Sequence, residues 1–240
     1  MSGHSKWNNI KGRKNAQDAK RGKIFQKLSR EIYMAAKNGG ADPDSNAALR
    51  LAMDKARAEN MPKDNVERAI KKATDTNSGD HYDELTFEGY GPGGVAILVH
   101  TLTDNKNRTQ TNVRVAFTRN GGNLGETGSV AYQFERKGDI LIDKKQINLD
   151  EDTLFEKAID LGAEDVQSYD EYYEIITDTA SFMMVKEGLE SDGVDLAQAA
   201  ITMLPQNKIP LDAVQEAKLA KLVDALEEDD DVAEVFTNAE

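Results

Sequence analysis

The sequence predicts an α+β protein: a helical N-terminal domain followed by two small α+β domains of split βαβ type, the middle one discontinuous. Three observations carry that prediction. Up to about residue 75 the apolar residues recur only at helical spacing. Beyond it, short β-rich runs alternate with helical stretches. The tail over 205–240 holds one helix and one strand, too little to build a core alone.

Residues 1–20, MSGHSKWNNIKGRKNAQDAK, offer only Trp7 and Ile10 as large apolar anchors, and so predict a flexible basic arm. A helix follows from about Asp18 to Asn38, where Ile24, Leu28, Ile32 and Ala35 make a stripe and Asn38-Gly39-Gly40 a stop. A second helix fits Ser45 to Glu59, capped by Asp44 or Ser45, with Leu49, Ala52, Met53 and Ala56 inward. A third starts at Pro62, which suits a first helical position, and turns Val66, Ala69, Ile70 and Ala73 inward. These helices define a domain over 21–75, and Thr74 to Asp83 reads as a linker.

Strands are then expected at Leu85 to Tyr90 and Val95 to Leu102, joined by Gly91-Pro92-Gly93-Gly94. A helix at Thr109 to Asn120 stops at Gly121-Gly122. Strands at Val130 to Phe134 and Asp139 to Ile142 flank an expected turn at Lys137-Gly138. Next come a helix (Asp152 to Leu161), two strands (Asp165 to Tyr169 and Tyr172 to Thr177), a helix (Thr179 to Glu190) and a strand (Leu196 to Met203). That order is a split βαβ pattern, closing as one unit over 130–204. The tail adds Ile209, a helix from Leu211 to Glu227 and a strand from Val232 to Thr237. Residues 84–129 and 205–240 are expected to complete one discontinuous domain into which 130–204 is inserted. One continuous α+β body is the competing arrangement.

Charge is divided sharply along the chain. Met1 to Lys37 carries ten Lys or Arg against Asp18 and Glu31, a net of +8. Asp75 to Glu240 carries 13 basic and 35 acidic residues, a net of −22. The overall −13 conceals a cationic end on an anionic body, which points to a polyanionic partner. The absence of Cys excludes disulfides, thiolate metal sites and Cys nucleophiles. The basic N-terminus lacks the apolar run of a secretion signal, and no window has the ~18–20 apolar residues of a membrane span. A cytoplasmic location without membrane association is expected.

The residues assigned to nucleic-acid binding are His4, Lys6, Trp7, Lys11, Arg13, Lys14, Lys20, Arg21, Lys23, Lys27 and Arg30. Lys6 through Lys23 would neutralise phosphates, releasing condensed counterions, and Lys27 and Arg30 would extend that surface along the helix. Trp7 and His4 would stack on a base or fix the path of the arm. Other features read more plainly. Gly89 to Gly94 lacks the Gly-Lys-Ser/Thr ending of a phosphate loop and reads as a strand connection. The run Gly121 to Ser129 has bare amides that suit an anion, but Glu126 opposes one, and a hinge is the expected role. His4, His81 and His100 show no metal-ligand spacing, and Asp229-Asp230-Asp231 reads as a solvated acidic turn. No catalytic residue, metal or cofactor is expected. A metal-dependent hydrolase built from body carboxylates and an acidic scaffold for basic proteins are the competing classes.

The opening GHSKWNNIKGRKNAQDAKRGKIFQKLSREI, the stretch NAALRLAMDKARAENMPKDNVERAIKKA, and FEGYGPGG with the later Asn-Arg-Thr closely resemble the YebC/PmpR family. The resemblance spans the whole chain and extends to the mitochondrial translational activator of cytochrome c oxidase. It implies a helical domain followed by two α+β domains. It also implies a non-enzymatic regulator of gene expression, either a DNA-binding transcriptional regulator or a ribosome-associated RNA-binding factor that assists synthesis through proline-rich stretches. The implied partner is DNA or ribosomal RNA, with the ribosome in the second reading. The sequence sets no oligomeric state, and a monomer is compatible with it.

Overall fold

A computed structural model describes residues 21–75 and 81–240. Helix α1 (Arg21–Gly39), α2 (Ala47–Ala58) and α3 (Lys63–Thr74) form the N-terminal unit. Leu28, Ile32, Tyr33 and Ala36 of α1 meet Leu49, Ala52 and Ala56 of α2 and Val66, Ala69 and Ala73 of α3 in one buried cluster. Asn46, rather than Asp44 or Ser45, caps α2. Its side chain accepts from the Leu49 N–H at 3.0 Å while its amide donates to the carbonyls of Ala35 at 2.9 Å and Gly40 at 2.7 Å. One side chain therefore starts α2 and holds the end of α1. A Cβ on Gly39 would lie 2.6 Å from Asn46 Nδ2, so glycine is required by close approach as well as by the helix stop. Pro62 stands one residue before α3, at its cap.

The first sheet contains β1 (Asp83–Tyr90), β2 (Ala96–Thr103), β3 (Asn123–Leu124) and β8 (Val232–Thr237) in the order β3-β1-β2-β8. All neighbours are antiparallel. A short 3₁₀ turn (Pro92–Gly94) joins β1 to β2, with Gly93 and Gly94 both at positive φ, the conformation glycine adopts without strain. Helices α4 (Lys106–Arg119) and α7 (Ala213–Glu227) cover one face. Their Val113, Phe117, Leu219, Leu222 and Leu226 bury against Val95, Ile97, Val99 and Val232. Asp212 and Gln215 form a capping box that starts α7.

The second sheet contains β4 (Phe134–Asp143), β5 (Asp165–Ser168), β6 (Tyr172–Thr177) and β7 (Gln198–Pro205) in the order β5-β6-β4-β7. Helices α5 (Glu151–Asp160) and α6 (Phe182–Ser191) pack on it through Leu154, Ala158, Phe182, Val185 and Leu189. The spatial order second, third, first, fourth is that of a split βαβ unit. β4 departs from the sequence reading. No turn forms at Lys137-Gly138; a single strand runs through both residues, and Gly138 pairs with Thr177 on one side and Ile201 on the other. A Cβ on Gly138 would run into Thr177 and Phe182, so this glycine serves packing rather than a turn. Val130 likewise precedes a 3₁₀ turn (Ala131–Gln133) instead of opening a strand. Ala96, Leu98, Val130 and Phe134 form a buried seam between the sheets, with Met203 and Phe236 against it.

Candidate nucleic-acid interface

His4, Lys6, Trp7, Lys11, Arg13, Lys14 and Lys20 lie outside the described residues, as does Asp80 of the 74–83 linker. Of the assigned cations, Arg21, Lys23, Lys27 and Arg30 lie on α1, and the structure divides them. Arg21 and Lys23 are exposed, Lys27 is half-buried and Arg30 is buried. The cause is the loop between α7 and β8. Lys23 Nζ donates to the Glu228 carbonyl at 3.1 Å and stands 3.8 Å from Asp230. Lys27 Nζ donates to the Glu227 carbonyl. Arg30 donates to the carbonyls of Leu102 at 3.1 Å and Asp230 at 2.8 Å, and to Asp231 Oδ1 at 2.9 Å. It also lies 5.3 Å from the centre of the Tyr82 ring. Arg30 thus ties α1 to the α7–β8 loop through Nη1, and it also lines the groove between α1 and α3 described below. The helix that offers the positive charge is itself docked by it.

The turn Asp229-Asp230-Asp231 is correspondingly not solvated throughout. Asp231 is 2 % exposed. Beside Arg30 it receives Arg108 Nε at 3.0 Å, Arg108 Nη2 at 2.7 Å and the Thr109 hydroxyl at 2.8 Å. Arg108 and Thr109 belong to the Asn-Arg-Thr motif, whose part is now physical: two guanidinium groups and a hydroxyl converge on one carboxylate. Burial pushes the Asp231 carboxyl up, but the hydrogen bonds from Arg108, Thr109 and Arg30 outweigh it and hold it below the usual carboxylate range. Burial conversely holds the Lys27 ammonium below its ordinary value, against the pull of Glu227, Asp229 and Asp230.

A second tie joins the helical unit to β8. Lys55 bridges Glu31 at 3.2 Å and Glu234 at 3.0 Å. Burial opposes its charge, yet the two carboxylates together raise its pKa. A third reaches α6, where Lys186, nearly buried, meets Asp54 at 3.0 Å. Leu51 packs into the second-sheet core alongside. The helical unit is therefore anchored on both sheets.

The open side of that unit is a groove of about 350 Å³ between α1 and α3, lined by Gln26, Ser29, Tyr33, Asn65, Arg68 and Lys72 among others. Arg68, Lys71 and Lys72 are exposed cations of α3 that the sequence reading did not assign. Their signal was present: they fall between the inward positions Val66, Ala69 and Ala73, where helical spacing turns them outward. Arg68 and Lys72 line the groove together with Gly22, the neighbour of Arg21 at the start of α1.

The end of the loop Gly121 to Ser129 and the two residues after it bind an internal anion. Glu88, 4 % exposed, accepts from the N–H groups of Gly128 at 2.7 Å, Val130 at 2.7 Å and Ala131 at 2.8 Å. Burial pushes the Glu88 carboxyl up, and these three donors bring it below its usual range. Among the described residues no cluster of His, Asp or Glu has metal-binding geometry, and no helix is long and apolar enough to cross a membrane.

Residues 5–76 match the model of the TACO1/YebC protein N-terminal domain, and residues 82–239 that of the TACO1/YebC second and third domain. The chain belongs to the TACO1/YebC family. A relative from Enterococcus faecalis is 63% identical over 240 residues, covering 100% of this chain and 99% of its own, and is named a probable transcriptional regulatory protein. One from Lactobacillus delbrueckii subsp. bulgaricus carries the same name at 64% identity over 239 residues, with 100% and 98% covered. The crystal structure of a conserved hypothetical protein from Aquifex aeolicus superimposes with a TM-score of 0.82 at 47% identity, covering 93% of this chain and 91% of that one. Both of these relatives are named as probable transcriptional regulatory proteins, and the chain matches them over nearly their full length.

Proposed function

We propose that the chain is a non-enzymatic cytoplasmic regulator of gene expression that grips a nucleic acid by its phosphates. The observation that carries this reading is the arrangement of charge. The basic arm enters the structure at Arg21, beside a groove bordered by Arg68 and Lys72, on a molecule whose remainder repels polyanions. Lys6, Lys11, Arg13, Lys14, Lys20 and Arg21 supply the phosphate contacts, with Lys23 at the margin. Trp7 and His4 set the path of the arm or stack on a base. Lys27 and Arg30 act indirectly, by holding α1 in place.

Promoter DNA is the target that accords with the names of the relatives. A second reading, folded RNA of the ribosome, is favoured by the loss of Lys27 and Arg30 to internal contacts. Without them α1 has no continuous cationic face for a straight duplex, and a patch beside an anionic body fits irregular RNA. Crosslinking in cells with sequencing of the bound nucleic acid separates the two: promoter fragments select the first, ribosomal RNA the second. Replacing Lys11, Arg13, Lys14, Lys20 and Arg21 with Ala is expected to flatten the dependence of log affinity on log salt. An unchanged slope would remove the arm from the interface.

A further inference from the structure

We propose a second seat for nucleic-acid phosphates, on the first sheet unit and apart from the arm: the cleft between the Gly91–Gly94 turn, the end of α4 and the middle of α7. It rests on the reading of the chain as a nucleic-acid binder. The cleft has a volume of about 480 Å³ and is lined by Gly93, Arg119, Gly121, Gln215, Lys218 and Lys221, among others. Three cations and two amide residues, Asn120 and Gln215, therefore line a single space.

Their lack of partners is the telling point. The acidic portion of the chain has 13 basic residues. Lys106, Arg108, Lys137, Lys144, Lys145, Lys157 and Lys186 are all committed to ion pairs. Arg114, Arg119, Arg136, Lys208, Lys218 and Lys221 enter no ion pair among the described residues, and three of these six line this one cleft. On a surface so rich in carboxylates, cations usually find an acid. Here three converge without one, which leaves a local positive potential available to an external anion.

The frame is built for close approach. Gln215, Lys218 and Lys221 recur every third residue of α7 and so share a face. Gly93 and Gly121 hold positive φ, so each turn is made without a side chain to cover the opening. A Cβ on Gly91 would meet Ile97 and one on Gly122 would meet Leu222, which fixes both turns tightly on the core beneath. The walls are thus backbone turns seated on the core and the charges are side-chain tips, an arrangement that suits a phosphodiester. The cleft lies along the same helix whose C-terminal carbonyls receive Lys23 and Lys27. From Lys221 to Glu227 is six residues, roughly 9 Å of helix rise. A strand of nucleic acid advances ~3.4 Å per nucleotide, so a few nucleotides span that interval.

The test measures binding of fluorescent 15-nucleotide uridine and thymidine oligomers to the full chain across a salt series. Three proteins are compared: the unaltered chain, R119Q/K218Q/K221Q, and the charge-matched control R114Q/R136Q/K208Q. Losing three single-strand phosphate contacts should lower the magnitude of the log–log slope by about 2 in the cleft variant, and the control should keep the parent slope. A drop on either oligomer sustains the inference, and the oligomer that shows it names the source of the phosphates. Equal slopes for the parent and the cleft variant, or equal drops in both variants, overturn it. If the arm variant loses its slope and the cleft variant does not, the inference alone falls. If the unaltered chain binds neither oligomer, the inference falls, and the crosslinking experiment decides the proposed function separately. Inorganic pyrophosphate titrated into the ¹⁵N-labelled full chain gives an independent readout. The amides of Gly93 and Gly121 should shift, and immobility of both overturns the site.

Discussion

Two sets of cations meet α7 under opposite terms. At its C-terminal end Lys23, Lys27 and Arg30 of α1 are taken up by carbonyls and by the Asp230-Asp231 turn. Along its middle, Lys218 and Lys221 join Arg119 at an open cleft, with no ion pair among the described residues. The residue types are the same and the helix is the same. What differs is whether the fold supplies the counter-charge. A clamp spends its cations on the molecule's own structure, and an interface keeps them for a partner. Net charge does not distinguish the two; the list of acceptors does.

The most severe way to break that comparison is to remove the carboxylate that consumes the clamp. Asp231→Ala leaves Arg30 buried and Arg108 without its main partner, and breaking a buried ion pair from one side costs ~3–5 kcal/mol. Urea unfolding of the full chain should show a loss of that order, with faster amide exchange along α1. Arg30→Ala should also destabilise, while leaving the salt dependence of nucleic-acid binding unchanged, because the buried Arg30 already directs Nη1 to Leu102, Asp230 and Asp231 inside the protein. A flattened slope for Arg30→Ala at retained stability would return it to the interface.

The next effect concerns the internal anion. Glu88→Gln keeps the shape but offers one oxygen where three N–H groups point, and a hydrogen bond to a charged group contributes ~1.5–3 kcal/mol. Stability should fall by about 2 kcal/mol, and amide exchange at Gly128, Val130 and Ala131 should quicken. Equal protection in the variant would show that the loop is held by other means.

Acid should weaken both devices together. The folded pKa values of Asp231 and Glu88 lie below their ordinary values, so the unfolded chain binds protons first as pH falls. The stabilisation is therefore fully present above about pH 4–5 and is lost as pH drops toward the folded values. Each such group steepens the fall by at most ~1.4 kcal/mol per pH unit. Asp231→Asn, lower in stability at neutral pH, should show a shallower decline than the parent. A parallel decline would mean that Asp231 does not titrate differently on folding.

Much of this was legible in the sequence, and the residues where it was not share a cause. Helical periodicity marked all three N-terminal helices to within a few residues, because an amphipathic stripe is a local property. The order of most strands and helices beyond residue 83 was equally local, β3 and the unbroken β4 being the exceptions. Gly138 was read as a turn because glycine permits one; that it instead admits Phe182 and Thr177 depends on residues about 40 positions away. Asn46 outcompeted Asp44 and Ser45 as a cap because it alone also reaches the end of α1. Arg30 and Asp231 are 201 positions apart, and no spacing rule pairs them. The cleft escaped for the same reason, since Arg119 and the α7 lysines become neighbours only when the tail packs beside α4.

The smallest expected effect sharpens the contrast most. Lys27 is half-buried and donates to the Glu227 carbonyl. Burial holds its pKa below the ordinary value, so at neutral pH the fold carries a cost for its charged form. Lys27→Met removes that cost, keeps the packed stem, and gives up one hydrogen bond. The two terms oppose, and the net change in stability should stay within ~1 kcal/mol. Binding should separate the two sets where stability does not. Lys27→Met should leave the salt slope of oligomer binding in place, whereas Lys218→Gln should lower its magnitude by about 0.7. If the two substitutions moved the slope equally, a cation's acceptors inside the fold would have no bearing on its availability to a partner, and the distinction between clamp and interface would fail.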